Sequence, residues 1–275
     1  MNQRPPPTDP FDGLLLVDKP SGPTSHDVVD RLRRHFRLKK VGHGGTLDPQ
    51  ATGLLLILLG RGTKLSDLLL STDKTYEGVI RLGSATATHD ADGEVLKRGD
   101  FQHITREQLQ AAMDKFLGDI YQTPPMVSAV KKDGVPLYKL ARRGQEVERQ
   151  PKLIHIFEFT MLDFTPPDAR FIIRCTKGTY VRTICNDVGE GLGCGAHLAQ
   201  LRRTLEFEIA GGVQHLLLGP LQFLRERLLA HGVVTFLGLG CLQLGARLLV
   251  VVHPLDDVLD AFRDADRRDA ARGVV

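Results

Sequence analysis

Apolar side chains recur along the chain with two different periods, which predict strands that alternate with helices. An apolar run from Gly13 to Val17 predicts a short strand, and the Lys-Pro-Ser-Gly sequence at residues 19–22 predicts the turn that ends it. Thr24 or Ser25 then caps a helix whose apolar positions share one face: Val28, Val29, Leu32 and Phe36. The positions on its other side and just beyond it are basic: Arg31, Arg34, Arg37, Lys39 and Lys40.

Later segments add strands with unequal helices between them. Residues 75–82 alternate like a strand, with Tyr76, Gly78, Ile80 and Leu82 on one face. Thr105 and Gln108 form a capping box before a helix. Residues 153–164 are typical of a long strand with residues 171–175 as its neighbour, and residues 181–192 of an amphipathic helix. Because no regular crossover unit repeats, the pattern predicts an α+β (mixed α/β) fold with a largely antiparallel central sheet flanked by helices.

The chain changes character near Leu205, where it becomes rich in Leu, Val and Gly. We therefore expect a main domain at residues 13–205, a disordered Pro-containing lead-in at residues 1–12, and a diverged C-terminal region at residues 206–275. The apolar stretch from Val233 to Val252 has the length of a membrane span. Three glycines interrupt it and Arg247 would sit at a costly depth, so we interpret its Val-rich end as a buried strand and expect no membrane association.

Composition narrows the class of protein. The 275 residues are 42% hydrophobic and carry a formal net charge of +3, which is compatible with an anionic partner but does not require one. The N-terminus has no apolar segment typical of a secretory signal, and the four cysteines form no C-x-x-C pair. We therefore expect reduced thiols in a cytoplasmic protein. The chain contains no phosphate-binding P-loop, no dinucleotide fingerprint and no nucleophile-elbow sequence.

The first candidate for chemistry is the Gly-rich loop at residues 42–53, which contains Asp48. Three glycines within four residues allow close backbone approach, and Pro49 restricts Asp48 to extended angles. A carboxylate held in this way can be presented at a fixed angle. An ordinary turn with Asp48 as a local capping group explains the same spacing.

Three further residues are candidates, each with a structural alternative. Arg182 lies in the first turn of a helix and can keep a carboxylate such as Asp48 ionised, or it can form a structural salt bridge. Tyr76 can stack on a base or simply pack. His43 has no carboxylate and histidine ligand set beside it, so a metal site is not expected. Four basic runs could follow a phosphate backbone or form solvated faces: Arg31 to Lys40, Lys131-Lys132, Lys139 to Arg143 and Arg202-Arg203.

Taken in order, the sequence motifs resemble those of the TruB family of tRNA pseudouridine synthases. The resemblance covers about Gly13 to Thr204. It rests on a series of short segments: residues 16–22, 25–27, 42–49, 51–53, 73–76, 82–83, 86, 88, 90–93, 124–125, 128–129, 131, 138, 141–142, 144, 178–183, 192–196 and 201–203. So many ordered segments at compatible spacing identify the chain as a member of this family.

The resemblance implies a role for each candidate. Asp48 matches the nucleophilic aspartate, Tyr76 the tyrosine that stacks on the target base, and Arg182 the arginine that pairs with the aspartate. The remaining matches are to residues that contact substrate RNA: Lys19 and Leu201 in the base pocket, His43 in the space left by the flipped uridine, and Asp90 and Tyr180. The implied target is uridine 55 in the T-loop of tRNA, and the implied protein is a monomer that needs no cofactor and no metal.

Two questions stay open in the sequence. The carboxylate can attack C1′ or C6, or assist elimination to a glycal. The alternative function is a tRNA-binding folding chaperone whose catalysis is dispensable, and refolding of tRNA by an Asp48→Asn variant would separate the two. The chain also departs from the family pattern at Val127, where an aromatic residue is frequent, at residues 205–208, and after about Gly211, where no clear PUA-domain pattern is found.

Overall fold

The computed structural model describes most of the chain as two compact units. The described residues are 13–35, 37–67 and 73–204, with the backbone of short strands at 236–237, 249–250 and 252–254. One unit takes its residues from 1–72 and 205–275, and the other consists of residues 73–204. The predicted lead-in, Phe36, and nearly all of residues 206–275, including most of the apolar stretch at 233–252, lie outside the described residues.

Among the described residues the strands, in chain order, are β1 (Gly13–Lys19), β2 (Val41–His43), β3 (Thr52–Leu59), β4 (Lys74–Leu82), β5 (Ser84–Thr86), β6 (Val95–Arg98), β7 (Gly118–Gln122), β8 (Lys131–Lys132), β9 (Val135–Pro136), β10 (Lys152–Thr165), β11 (Asp168–Cys175), β12 (Ala196–Arg203), β13 (Phe236–Leu237), β14 (Leu249–Val250) and β15 (Val252–Pro254). The α-helices described are α1 (Ser25–His35), α2 (Arg106–Asp114), α3 (Leu137–Ala141) and α4 (Val181–Gly191), and Gly60–Leu65 forms a 3₁₀ helix.

The first unit is built on the pairing of β1 with β3. These strands are antiparallel from Gly13 opposite Leu59 to Lys19 opposite Gly53. β2 also pairs antiparallel with β3, and β15 pairs parallel with β1. Helix α1 begins after Thr24, because the Thr24 hydroxyl accepts a hydrogen bond from the backbone N–H of Asp27 and the Asp27 carboxylate accepts one from the N–H of Thr24.

The face of α1 follows the predicted stripe. Val28, Val29 and Leu32 are buried, whereas the basic positions on the other side and beyond the helix are exposed: Arg31, Arg34, Arg37, Lys39 and Lys40. The apolar face therefore supplies the packing that stabilises this short helix.

The second unit contains an antiparallel sheet with the strand order β12-β4-β11-β10-β7. β4 shows the predicted alternation, since Tyr76, Gly78, Ile80 and Leu82 are buried while Glu77 and Arg81 are exposed. Helix α2 packs against β10 and α4 against β12. The predicted capping box at Thr105 and Gln108 is present at the start of α2.

Two phenylalanine rings form the centre of this unit's core. Phe171 on β11 and Phe159 on β10 are buried and meet edge to face, with ring centroids 5.3 Å apart. Gly78 lies opposite Phe171 in the strand register, and a Cβ added there would be 2.4 Å from the ring. Any side chain at position 78 would therefore force the Phe171 ring to shift within a packed core.

The predicted mixed α/β class with largely antiparallel pairing is confirmed. Strand β1 runs two residues further than predicted, to Lys19, and several two- to four-residue strands were not predicted from the pattern. No helix in the described part of the chain is long and apolar enough to cross a membrane. The three cysteines in the described ranges, Cys175, Cys185 and Cys194, are unbridged, as predicted, and all three are buried; Cys241 lies outside these ranges.

Candidate active site

Asp48 is half-buried on a loop that is fixed on its N-terminal side by Ser25. The buried Ser25 hydroxyl accepts a hydrogen bond from the N–H of Leu47, at 2.8 Å, and donates one to the carbonyl of Leu47, at 3.1 Å. One side chain at the start of α1 therefore holds both polar backbone groups of the residue before Asp48.

The C-terminal side of Asp48 is fixed by Lys19, the last residue of β1. Its fully buried side chain donates from Nζ to the carbonyls of Pro20, Pro23 and Pro49, at 2.8, 2.9 and 2.9 Å. The Pro49 carbonyl also accepts from the N–H of Gly22, at 2.9 Å. Burial lowers the pKa of Lys19 to about 8, and the nearby charge of Asp48 opposes that shift.

The loop therefore restrains Asp48 from both directions. The carbonyl of Asp48 itself accepts from the N–H of Ala51, at 3.1 Å, which closes a turn within the loop. Because the backbone on either side has few remaining degrees of freedom, the Cα–Cβ bond of Asp48 leaves the loop in a defined direction. This is the arrangement that a nucleophile or general base requires.

His43 ends β2 in the same unit. It lies opposite Ile57 of β3 and is half-buried. The strand pairing fixes its backbone five residues before Asp48. No group of three or more His, Cys, Asp or Glu side chains that could hold a metal ion occurs in the described ranges.

In the second unit, Arg182 lies in the first turn of α4 and is 3% exposed. Its Nη1 donates to Asp90 Oδ2 at 3.2 Å, and its Nη2 donates to the carbonyl of Val127. The Tyr180 ring lies 5.8 Å from the guanidinium carbon. Val127, one of the positions at which the chain departs from the family pattern, thus contributes its backbone carbonyl to the Arg182 site.

Asp90 is held in turn by its own loop. Its carboxylate accepts from the Thr88 hydroxyl and from the N–H of Asp92, the latter at 3.2 Å. The Thr86 hydroxyl donates to its carbonyl at 2.7 Å. The buried cation of Arg182 and the carboxylate of Asp90 therefore form a rigid pair within the second unit. The predicted pairing of Arg182 with Asp48 joins residues of different units and stays a prediction.

Gln122 fixes the turn that leads into α4. Its buried side-chain amide accepts from the N–H of Tyr180 at 2.8 Å and donates to the carbonyl of Tyr180 at 3.1 Å. Both polar backbone groups of the residue that caps the helix are thus held, two positions before Arg182. Tyr180 itself is half-buried.

Tyr76 and Leu201 belong to neighbouring strands of the second unit. Tyr76 on β4 is buried and lies opposite Ile173 of β11 and Arg203 of β12. Leu201 on β12 is half-buried and lies opposite Gly78. The strand register places Leu201 two residues along β4 from Tyr76, and their predicted contacts with a base remain predictions.

The second unit also contains a cavity of about 530 Å³ beside Gln122. His89, which precedes Asp90, lies in its wall and adopts a φ of 65°. Burial lowers the pKa of His89, and the charge of Asp187 opposes that shift. The imidazole Nδ1 lies 3.3 Å from the hydroxyl of Thr183 on α4.

Sequence reasoning brought out Asp48, Asp90 and Arg182, but it missed Gln122 as a site residue and missed the contact of Ser25 with the Asp48 loop. Their partners are 58 and 22 residues away in sequence. No local spacing could have shown either contact, because each is set by how the elements pack.

Comparison with known proteins identifies the family. Residues 33–181 match the family model described as TruB family pseudouridylate synthase (N terminal domain). Residues 182–210 match the model described as tRNA pseudouridylate synthase B C-terminal domain.

Two relatives and two solved structures illustrate the similarity. A protein of Opitutus terrae named tRNA pseudouridine synthase B is 58% identical over 198 residues, covering 72% of this chain and 82% of that protein. Its namesake in Syntrophotalea carbinolica is 51% identical over 193 residues, covering 70% of this chain but 63% of that protein. The chain thus spans slightly less than two thirds of the second relative.

Among solved structures, a chain of a Cbf5-Nop10-Gar1 complex aligns with a TM-score of 0.56 at 30% identity, covering 78% of this chain and 56% of that one. A chain of an H/ACA ribonucleoprotein bound to a substrate RNA containing 2′-deoxyuridine aligns with a TM-score of 0.53 at 25% identity, covering 78% and 55%. The fold is therefore that of pseudouridine synthases, as predicted. The chain belongs to the TruB family of pseudouridylate synthases, and it is an enzyme, as the sequence motifs predict.

Proposed function

We propose that the enzyme isomerises uridine 55 in the T-loop of tRNA to pseudouridine, with Asp48 as the nucleophile and no cofactor. The observation that carries the proposal is the loop in which the residues on either side of Asp48 are both anchored, by Ser25 and by Lys19. A fixed carboxylate suits a reaction in which one group must meet one carbon of a bound nucleotide.

The reaction needs only bond exchange within one nucleotide. The N1–C1′ bond of uridine breaks, a C5–C1′ bond forms, the hydrogen on C5 leaves to solvent and N1 gains a proton. No electron or phosphoryl group is transferred. A carboxylate therefore suffices as the covalent catalyst, whether it reacts at C1′, reacts at C6 or assists elimination.

The target uridine must leave the stacked loop before it can react, at a cost of a few kcal/mol. We assign Tyr76 to stacking on the extruded base, which returns about 1–3 kcal/mol, and His43 to the space that the base leaves. We also assign Arg182, whose buried guanidinium is held by the Asp90 carboxylate and the Val127 carbonyl, to pairing with Asp48 and keeping it ionised.

The remaining assignments concern substrate contact. We place Lys19 and Leu201 at the base pocket and Asp90 and Tyr180 at the bound nucleotide. For Lys19 this contribution acts through the backbone, since its Nζ holds the carbonyl of Pro49 next to Asp48. We further propose residues 13–205 as the catalytic domain, residues 206–275 as a diverged C-terminal region for which a short or degenerate PUA-like segment is the alternative, and a monomer that acts in the cytoplasm on the T-arm.

The test measures tritium release from unmodified tRNA labelled at uracil C5. Wild type should release one tritium per tRNA, and Asp48→Asn should lower turnover by at least about a thousandfold because the amide is a poor nucleophile. Asp133→Asn is the matched control: Asp133 is exposed and has a φ of 50°, which Asn also adopts readily. Its turnover should equal that of wild type.

Two outcomes would contradict the proposal. Equal tritium release by wild type and by Asp48→Asn would show that Asp48 is not the nucleophile. Release from a tRNA in which uridine 55 is replaced by cytidine would move the target to another position.

A further inference from the structure

A cavity of about 450 Å³ lies in the first unit beside His43. Its walls come from the end of α1, from β2, from β3 and from the 3₁₀ region: Arg33, Lys39, Lys40, Val41, Gly42, His43, Leu58, Thr63 and Ser66. It is large enough to hold a phosphate group together with the sugar that carries it.

The walls of this cavity are chemically one-sided. Arg33, Lys39 and Lys40 supply cations, and Thr63 and Ser66 supply hydroxyl groups, while none of the described residues that line it is an aspartate or a glutamate. The Thr63 hydroxyl donates its proton to the carbonyl of Gly60 at 2.8 Å, so the contacts to a phosphate come from the cations.

One cation of the cavity is fixed and two are adjustable. Arg33 donates to the carboxylate of Asp30 and to the carbonyl of Val41, the latter at 3.3 Å, so its guanidinium is held at the cavity wall. Lys39 and Lys40 are exposed on the segment that leads into β2. Flexible ammonium groups around a fixed guanidinium are a suitable set for a phosphodiester, because each can contact a different oxygen.

We propose that this cavity holds a backbone phosphate of the substrate RNA, contacted by Lys39, Lys40 and Arg33. The inference rests on the proposed function and extends it, because it assigns a place to a nucleotide other than the one that reacts. The cavity is next to His43 in the same unit, so the phosphate belongs to a nucleotide close to the position from which the uridine is extruded. RNA is favoured over an acidic peptide because the chain also matches the model described as tRNA pseudouridylate synthase B C-terminal domain.

The test compares tRNA binding at several salt concentrations. Filter binding of unmodified tRNA is measured from about 50 to 300 mM KCl for wild type and for Lys39→Gln combined with Lys40→Gln. Each lost phosphate contact should reduce the slope of log Kd against log salt concentration by about 0.7–0.9. Because the cavity holds one phosphate, we expect a reduction of about 0.7–0.9 and a roughly tenfold weaker Kd at the lowest salt.

The control removes the same charge elsewhere. Lys97→Gln combined with Arg98→Gln changes two adjacent cations on the exposed strand β6, and neither lines this cavity. This variant should keep the wild-type slope. Lys39→Arg combined with Lys40→Arg should also keep it, which separates loss of charge from damage to the fold.

Equal reductions in the cavity variant and the control would overturn the proposal, since they would indicate diffuse attraction. If Lys39→Gln combined with Lys40→Gln lost binding of inorganic phosphate but bound tRNA as wild type does, the cavity would be a site for the free ion. That result would also overturn the proposal. The measurement needs no turnover. Absence of tritium release by wild type would therefore remove the proposed function without changing this result.

Discussion

Asp48 depends on residues that never need to touch the substrate. Ser25 holds the backbone of Leu47 before it, and Lys19 holds the backbone of Pro49 after it. Because the loop backbone is already held through these neighbours, less conformational entropy is lost when the substrate arrives. At the scale of single residues, positioning is therefore done by side chains bound to the backbone.

Ser25→Ala tests this positioning. The change removes two hydrogen bonds to Leu47, and we expect the free energy of unfolding to fall by about 1–3 kcal/mol and turnover to fall with little change in tRNA affinity. Urea denaturation and tritium release measure the two effects. Ser21→Ala is the control, because Ser21 is exposed and its hydroxyl donates to the side-chain oxygen of Gln50. A wild-type turnover in Ser25→Ala would show that the anchor is dispensable.

How much of the site could be predicted depends on the range of each contact. Asp48 stands out locally, because its glycines and Pro49 restrict the backbone wherever they occur. Ser25 looks like a second helix-capping candidate beside Thr24, and nothing in the sequence reveals that its hydroxyl bonds a residue 22 positions away. Lys19 looks exposed by residue type, yet its side chain is fully buried and donates to three carbonyls, one of which belongs to Pro49, 30 residues away.

At the scale of elements, Arg182 lies at the start of helix α4, which follows strand β11 after a short turn. Gln122 on β7 holds that turn by both backbone groups of Tyr180. The strand and the helix were predictable, since their apolar periods are 2 and 3.6 residues. The contact between β7 and the turn was not, because it depends on which strand lies at the end of the sheet.

Gln122→Met tests this element contact with a side chain of similar length. Both hydrogen bonds to Tyr180 are lost in a buried site, which should lower the free energy of unfolding by about 1–3 kcal/mol and lower kcat more than it raises KM. Steady-state tritium release and urea denaturation are the measurements. Gln102→Met, at an exposed position, should behave as wild type. An unchanged kcat in Gln122→Met would show that α4 orients Arg182 without the amide.

At the scale of the whole molecule, the two compact units divide the predicted site residues. Lys19, His43 and Asp48 belong to the first, and the others belong to the second: Tyr76, Asp90, Tyr180, Arg182 and Leu201. The first unit also includes β15, which comes from the far end of the chain and pairs with β1. The sequence suggested a change of character near Leu205 but not that a later strand joins the first one, because parallel pairing leaves no local turn pattern.

Truncation tests whether the pairing of β15 with β1 stabilises the first unit. Removal of residues 252–275 takes away β15 and leaves one edge of β1 unpaired, which should lower the free energy of unfolding by about 1–3 kcal/mol and promote aggregation. Removal of residues 255–275 keeps the strand and is the control. Thermal melts and light scattering compare the two chains. Identical melts would show that β15 contributes no stability to the first unit.

The three buried thiols of the second unit, Cys175, Cys185 and Cys194, can be used to follow its unfolding by chemical labelling. Burial raises the pKa of Cys175 to about 12 and also raises the pKa of Cys185 and Cys194, so an alkylating reagent meets almost no thiolate there at neutral pH. In a Cys241→Ser chain, we expect mass spectrometry to find no added label without denaturant and three labels after unfolding in urea. Cys175 ends β11, Cys185 lies in α4, and Cys194 precedes β12. The order in which they become labelled as urea is raised would therefore reveal whether the strand, the helix or the connection beyond it loosens first.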